Sequence, residues 1–225
     1  MRGVNLPKCD PLLPLDSGYD YTNILERGRM KTIGITVKLV ALSVLTSAAW
    51  AQTTAEKDQQ RDVNQQQRIE QGLQSGQLST KEAGSLERQQ QHIDKMEARD
   101  MKNGSISPAE QARLNAAQNR VSNNIYAAKH NGVTGNPDSA SSRRMQADVQ
   151  RNVNQQQRIQ NGMENGSLTN REAGKLERGQ AHVDGREANA AANGHVGARE
   201  QRVIQRSENR QSGRIYRKKH NGISK

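Results

Sequence analysis

Four times along the chain a glycine is followed two residues later by an apolar side chain and four residues after that by a glutamate: Gly76, Leu78, Glu82; Gly104, Ile106, Glu110; Gly166, Leu168, Glu172; Gly194, Val196, Glu200. A glutamate at a fixed distance past a glycine bend can do two things. It can offer two oxygens to a hard cation, provided further oxygens precede it. It can also fold back on its own chain, because Ser or Thr followed three residues on by Glu is the capping box that opens a helix. Ser79 with Glu82, Ser107 with Glu110 and Thr169 with Glu172 have that spacing, while Gly197 stands where the fourth hydroxyl would be. Capping uses both residues of each pair, so helix capping is the first reading of all four junctions.

The same spacing, in a helix–loop–helix setting, resembles the calcium loop of EF-hand proteins, with the glutamate as bidentate ligand. The resemblance implies calcium, and the third loop supplies the most oxygens, from Asn161, Asn165 and Glu172. Position 3 of that loop, a ligand in the family, holds Leu73, Met101, Met163 and Ala191, which cannot ligate a hard cation, and position 1 holds Arg99 in one loop. The expectation is therefore a protein without metal or cofactor. The junction strings LSTKE, ISPAEQ and LTNRE also resemble the LTxxQ motif of the periplasmic stress chaperones related to Spy and CpxP, with Glu at the fifth position where that family has Gln. That resemblance implies a small, exported, all-helical protein that holds client proteins on its surface.

Other chemistries find little support. His92 and His182 are followed four residues on by Met96 and Arg186, so neither helix face pairs an imidazole with a second zinc ligand. Cys9 is the single cysteine and lies ahead of the expected cleavage site. No nucleophile elbow, no phosphate loop and no pair of carboxylates in an apolar setting is evident, which argues against an enzyme.

The elements that must position these residues come from a duplication. A shift of 90 aligns 61–132 with 151–222 without a gap, and 35 of the 72 positions are identical. Between the junctions Gln, Glu, Arg and Ala favour helix, with sparse apolar residues at helical spacing such as Leu114, Val121 and Ile125. Each copy is predicted as three antiparallel helices, Lys57–Leu73, Thr80–Met101 and Pro108–Lys129, with counterparts 90 residues later. The expected fold is all-α: two tandem three-helix hairpin units with a thin core, 52–132 and 146–225, joined by a flexible linker at 133–145. Few large aliphatic residues and no Phe argue against a compact globule.

Charge is uneven. Residues 142–225 carry 17 Lys and Arg against 8 Asp and Glu, and the excess gathers at Arg199, Arg202, Arg206, Arg210, Arg214, Arg217, Lys218 and Lys219. The six arginines recur every three or four residues and make a basic stripe suited to polyanions: lipid headgroups, lipopolysaccharide or extracellular DNA. Aromatics do not interleave with the stripe, so base stacking is unsupported.

At the N-terminus, Lys31, the apolar run Val37–Val44 and Ala49-Trp50-Ala51 have the form of a signal peptide at 30–51, with 1–29 expected to be an upstream mis-start ahead of Met30 or a leader extension. No later stretch approaches the length of a spanning helix. The sequence thus predicts an exported, periplasmic or secreted, non-enzymatic surface-binding protein in a chaperone-like or envelope-stress role. Client proteins or anionic envelope surfaces would be its partners, and self-association is open to it. A calcium-responsive module and a disordered, hydrophilin-like protectant are the alternatives.

Overall fold

The computed structural model describes the backbone of residues 46–223 and side chains from Thr54 onward. The segments 1–29 and most of 30–51, Cys9 included, lie outside the described residues. Six α-helices follow one another: α1 Thr46–Gln74, α2 Thr80–Asp100, α3 Pro108–Lys129, α4 Ala140–Glu164, α5 Asn170–Ala190 and α6 Ala198–Lys219. Short 3-10 turns, Met101–Asn103 and Ala191–Asn193, extend α2 and α5. Among the described residues there is no strand, and no helix is long and apolar enough to cross a membrane.

The junctions show why the helices begin where they do. Ser79, Ser107 and Thr169 each accept a hydrogen bond from the backbone N–H of the glutamate three residues on, and that glutamate accepts one from the cap residue's N–H. At the fourth junction only the second half of the box exists, with Gly197 N–H donating to Glu200 Oε2 at 2.8 Å. The preceding turns close on left-handed glycines, such as Gly76 at φ 74° and Gly166 at φ 77°, where a side chain would be strained.

The packing departs from two hairpin units on a string. α2 lies antiparallel along α5, and α1 along α4, so these two helices of the first copy each pair chiefly with their own counterpart in the second. Arg88 Nη2 donates to Ala188 O and Gln91 Nε2 to Ala181 O across the α2–α5 seam. On α1–α4, Gln160 Nε2 donates to Gln60 Oε1. α3 and α6 flank this arrangement, packing on α1 and α2, and on α4 and α5, respectively. One apolar cluster accordingly mixes both copies, joining Leu73, Leu86, Leu114 and Ile125 to Met145, Val149 and Ile204. The physical reason is the sparse apolar content of each copy: neither strip can bury its face alone, and the duplicated strip is self-complementary.

Residues 140–145, placed by composition in a linker, form the start of α4, capped by Ser139, and Met145 is fully buried. The remaining connection is docked rather than loose. Gly135 N–H donates to Gly76 O at 2.8 Å, and a Cβ at Gly135 would overlap the Leu78 carbonyl.

The seam of α2 and α5 is close. A Cβ on Gly84 would stand 2.5 Å from Ala191 Cβ, and one on Gly174 would stand 3.0 Å from Met101 Cβ. Gly84→Val should therefore force the two helices apart and cost about 1–3 kcal/mol, the usual penalty of overpacking, read as a lower urea midpoint with unchanged slope.

Candidate metal centre

The interior between α1, α2, α4 and α5 is polar. Along α2 the buried positions Glu87, Gln90, Asp94, Glu97 and Met101 recur every three or four residues, and along α5 the equivalents are Glu177, Gln180, Asp184, Glu187 and Ala191. α1 adds Gln59, Asp62 and Gln66, and α4 adds Asn152 and Gln156. Helical periodicity thus puts carboxylates and amides, rather than leucines, on the faces that meet. This overturns two expectations: the core is not thin, and it does contain paired carboxylates away from water.

The acids fall into two groups. One oxygen from each of Asp62, Asp94 and Glu97 lies within 4.8 Å of the others, and so does one from each of Glu87, Asp184 and Glu187. Side-chain exposure decides what this means: Asp94 is 2% exposed, Asp62 1%, and Glu87, Glu97, Asp184 and Glu187 0%. Among the described residues, none of these six, nor Glu177, has a Lys, Arg or His nitrogen within 4.0 Å. At the edges buried acids do meet arginines that reach out to solvent, with Arg151 Nη1 3.1 Å from Glu208 and Arg99 Nε 2.9 Å from Asp100.

The amides hold the carboxylates in place. Gln59 Nε2 donates to Glu97 Oε2 and Gln66 Nε2 to Glu87 Oε2, both at 3.0 Å, and Gln156 Nε2 donates to Glu177 Oε2 at 3.2 Å. Gln118 Nε2 donates to Asp62 Oδ1 at 3.0 Å, and Gln180 Nε2 reaches Asn152 Oδ1 at 2.8 Å and Asp184 Oδ1 at 3.2 Å. The oxygen of each of these glutamines is buried with no amide or hydroxyl donor, and the acids meet one another directly, Asp62 with Glu97 and Asp94 with Asp184. Buried polar oxygens are ordinarily satisfied, so a cluster of orphaned ones is unusual.

Loss of water is what governs the ionisation of the cluster. Burial pushes Asp62 up to about 7, reinforced by the Asp58 charge, and pushes Asp184 to about 7. Glu87, Asp94, Glu97, Glu177 and Glu187 are raised well above the carboxylate range, first by burial and then by the negative neighbours that face them. At the flanks, burial raises Asp148 to about 8, Glu208 to about 7 and Asp58 to about 6. Such a cluster takes up positive charge, either as protons or as a cation.

The residues singled out from sequence lie elsewhere. Asn161 is exposed, Asn165 Oδ1 accepts from Ser167 N–H, and Glu172 is engaged twice by its own chain. Its Oε2 accepts from Thr169, while its Oε1 accepts from Asn221 Nδ2 at 2.6 Å and lies 3.5 Å from Lys218 Nζ. Burial pulls Glu172 upward, but these hydrogen bonds and Lys218 outweigh it and hold the carboxyl below its ordinary value. The first copy repeats the clasp through Asn131 and Glu82. The closing KHN string of each copy is thereby explained: its Asn secures the junction glutamate, and its His stacks on Tyr126 or Tyr216. Calcium at the third loop would have to displace this clasp.

The basic stripe is real as a surface. Arg199, Arg202, Arg206, Arg210, Arg214 and Arg217 are all exposed on α6. Lys218 and Lys219 are not free members of it: Lys218 pairs with Glu172, and Lys219 Nζ donates to Arg158 O at 3.2 Å. His92 and His182 are exposed, outside the acidic interior.

The acidic seam did carry a signal in the sequence. Glu87, Gln90, Asp94 and Glu97 are repeated identically as Glu177, Gln180, Asp184 and Glu187, while neighbours such as Gln89, Gln91 and Lys95 change to Gly179, Ala181 and Gly185. The repeated acids, at a spacing of seven and three, were visible, but identity alone does not mark burial: Arg88 and His92 recur as Arg178 and His182 and are exposed, while Gly179, Ala181 and Gly185 have changed and are buried. Compared with protein families, with curated proteins and with solved structures, the chain matches none.

Proposed function

We propose that this is a cation-binding helical protein, which takes hard divalent metal ions into the interior of the bundle formed by α1, α2, α4 and α5. The observation that carries this reading is the set of fully buried carboxylates, Glu87, Asp94, Glu97, Asp184 and Glu187, with no cationic side chain within 4.0 Å among the described residues. A separation of up to 4.8 Å between ligand oxygens suits one ion with bonds of about 2.0–2.6 Å. The donors are carboxylate and amide oxygens alone, which favours Mg²⁺, Mn²⁺ or Ca²⁺ over metals that prefer nitrogen or sulfur. The burial of the acids would exclude water and strengthen the electrostatic attraction.

The test is thermal unfolding of chelator-treated protein at pH 7.5, with each of the three ions added in turn. Ion at about 100 times its dissociation constant adds about 2.7 kcal/mol, which raises Tm by roughly 5–10 °C in a chain of this size. No shift with any of them, together with no heat in calorimetric titration, would sink the reading.

A second reading concerns the outer surface. The exposed arginines of α6 lead into a groove of about 360 Å³ whose lining includes Arg186, Arg199, Val203 and Ile204, with one acid, Glu200, among them. A basic rim over an apolar floor supports contact with anionic lipid, so the protein would work at an envelope surface. Co-sedimentation with phosphatidylglycerol vesicles should fall at least tenfold when Arg202, Arg206 and Arg210 are changed to Gln; equal binding by the variant would count against it.

A further inference from the structure

We infer that a groove on the outside of the α2–α5 seam binds phosphate oxyanions, at least two phosphate groups at a time. Its lining is Ala98 and Lys102, from the end of α2 and the turn that extends it, and Arg171, Gly174, Lys175 and Arg178 from the start of α5, around a space of about 310 Å³. Every charged residue in that lining is a cation.

Helix geometry explains the grouping. Arg171, Lys175 and Arg178 stand at i, i+4 and i+7, so α5 presents them along one face over about 10 Å. Gly174 lets the facing element come close: a Cβ there would stand 3.0 Å from Met101 Cβ and 3.5 Å from Ala98 O. That approach brings in Lys102 and leaves a floor of two small buried residues, Ala98 and Gly174, beneath four exposed cationic side chains.

The four charges lack a partner in the chain. Among the described residues none has a carboxylate oxygen within 4.0 Å, and the hydrogen bond that one of them makes is long, Arg171 Nη2 donating to Asn103 O at 3.5 Å. Like charges lining one cleft repel one another and focus a positive potential into it, so a bound anion is favoured on both counts. Arginine forks take phosphate oxygens two at a time, and each lysine adds a point charge. A phosphate group, with three oxygens and up to two charges at one centre, engages such a set more fully than a carboxylate does.

The duplication supplies an internal comparison. At the other end of the same seam the equivalents of Lys102, Arg171, Lys175 and Arg178 are Ala192, Lys81, Ser85 and Arg88, so two of the four cations are missing there. Arg88 is also held by the chain, donating to Ala188 O and to Asn189 Oδ1, whereas Arg99 stands at the position equivalent to Asn189 and cannot accept from Arg178. The same helix contact is thus made with Ala and Ser in place of the two lysines, and the fold does not require them.

The test is calorimetric titration of the full chain, freed of metal on a chelating resin, with inorganic pyrophosphate at pH 7.5 and low salt. The expected result is one pyrophosphate per chain, bound at least tenfold more tightly than citrate and progressively weakened by added salt. Lys102→Ala combined with Lys175→Ser copies the other end of the seam; it should keep the fold by circular dichroism and weaken pyrophosphate at least tenfold. Changing Arg202, Arg206 and Arg210 to Gln removes more charge from a different surface and should leave pyrophosphate binding within twofold. Co-sedimentation with phosphatidylglycerol vesicles separates the sources of phosphate: a double variant that sediments like the parent places a free phosphate compound in the groove, and one that sediments tenfold less places lipid headgroups there. No pyrophosphate bound, citrate bound as tightly, a double variant that binds like the parent, or an equal loss in the α6 variant would each overturn the inference. Cation binding in the interior is untouched by any of these results, because no metal takes part in the titration.

Discussion

Freed of metal by a chelator, the folded protein should lose stability steeply as pH rises from 5 to 8, and a divalent cation should restore it at the upper end. The buried acids bind protons more tightly in the folded chain than in the unfolded one. Burial raises Asp58 to about 6, Asp62, Asp184 and Glu208 to about 7, and Asp148 to about 8, whereas unfolded carboxyls titrate near 4. Where the native state holds more protons, stability falls with rising pH. Their contribution is therefore fully present below about pH 4 and is lost through the interval from 6 to 8. A single group shifted by about three pH units corresponds to ~4 kcal/mol, against the roughly 5–15 kcal/mol that holds most domains together. Several such groups cannot all become charged in place. Thermal melts at pH 5 and pH 8, in chelator and in millimolar Mn²⁺, should show a fall of 10 °C or more in chelator and a much smaller one in Mn²⁺. A melting temperature that is flat or rising between pH 5 and 8 in chelator would contradict the account.

The second large effect is a stabilisation by loss. Asp94 is faced by Asp62 from α1, by Glu97 on its own helix and by Glu177 and Asp184 from α5, and each of these raises it further beyond the effect of burial. Asp94→Asn keeps the shape and removes the charge. In the chelated protein at pH 8 the variant should be more stable than the parent by roughly 1–4 kcal/mol, because on folding the parent must there bury a charge or take up a proton that its unfolded chain does not hold, and the variant need do neither. At pH 5, where the parent's acids carry protons, the difference should nearly vanish. The same variant should lose most of the cation-induced rise in Tm. Leu114→Ala offers the contrast: Leu114 is fully buried in the apolar cluster, so its truncation should cost about 2–5 kcal/mol at both pH values and leave the cation response in place. Urea unfolding of the two variants at both pH values separates a charge effect from a packing effect.

Much of the secondary structure was legible because its signals are local. Thr80 and Pro108 begin helices where Ser79 and Ser107 with their glutamates say they should, and α3 ends at Lys129. The packing was not legible in the same way. Counting Leu, Ile and Val as the material of the core assigns Glu87, Asp94 and Gln118 to solvent, and leaves a chain too poor in apolar area to close. The structure buries those residues instead, and the closing partner of α1 and of α2 is its own copy roughly 90 residues away, which no local signal specifies. Glu172 shows the reverse case. Its spacing from Gly166 was visible, but the Asn221 that holds its second oxygen lies 49 residues on.

The pairing of α1 with α4 and of α2 with α5 also sets the order in which this polypeptide can mature. Arg88 meets Asn189 across 101 residues and Gln60 meets Gln160 across 100, so the central layer consists of contacts that form late and at a high loop-closure cost. While a ribosome is still making the first half, Asp62, Asp94 and Glu97 have nothing to hide behind and stay hydrated. Only when synthesis has passed α5 can the acids be withdrawn from water together, and their desolvation falls due in that one closing step.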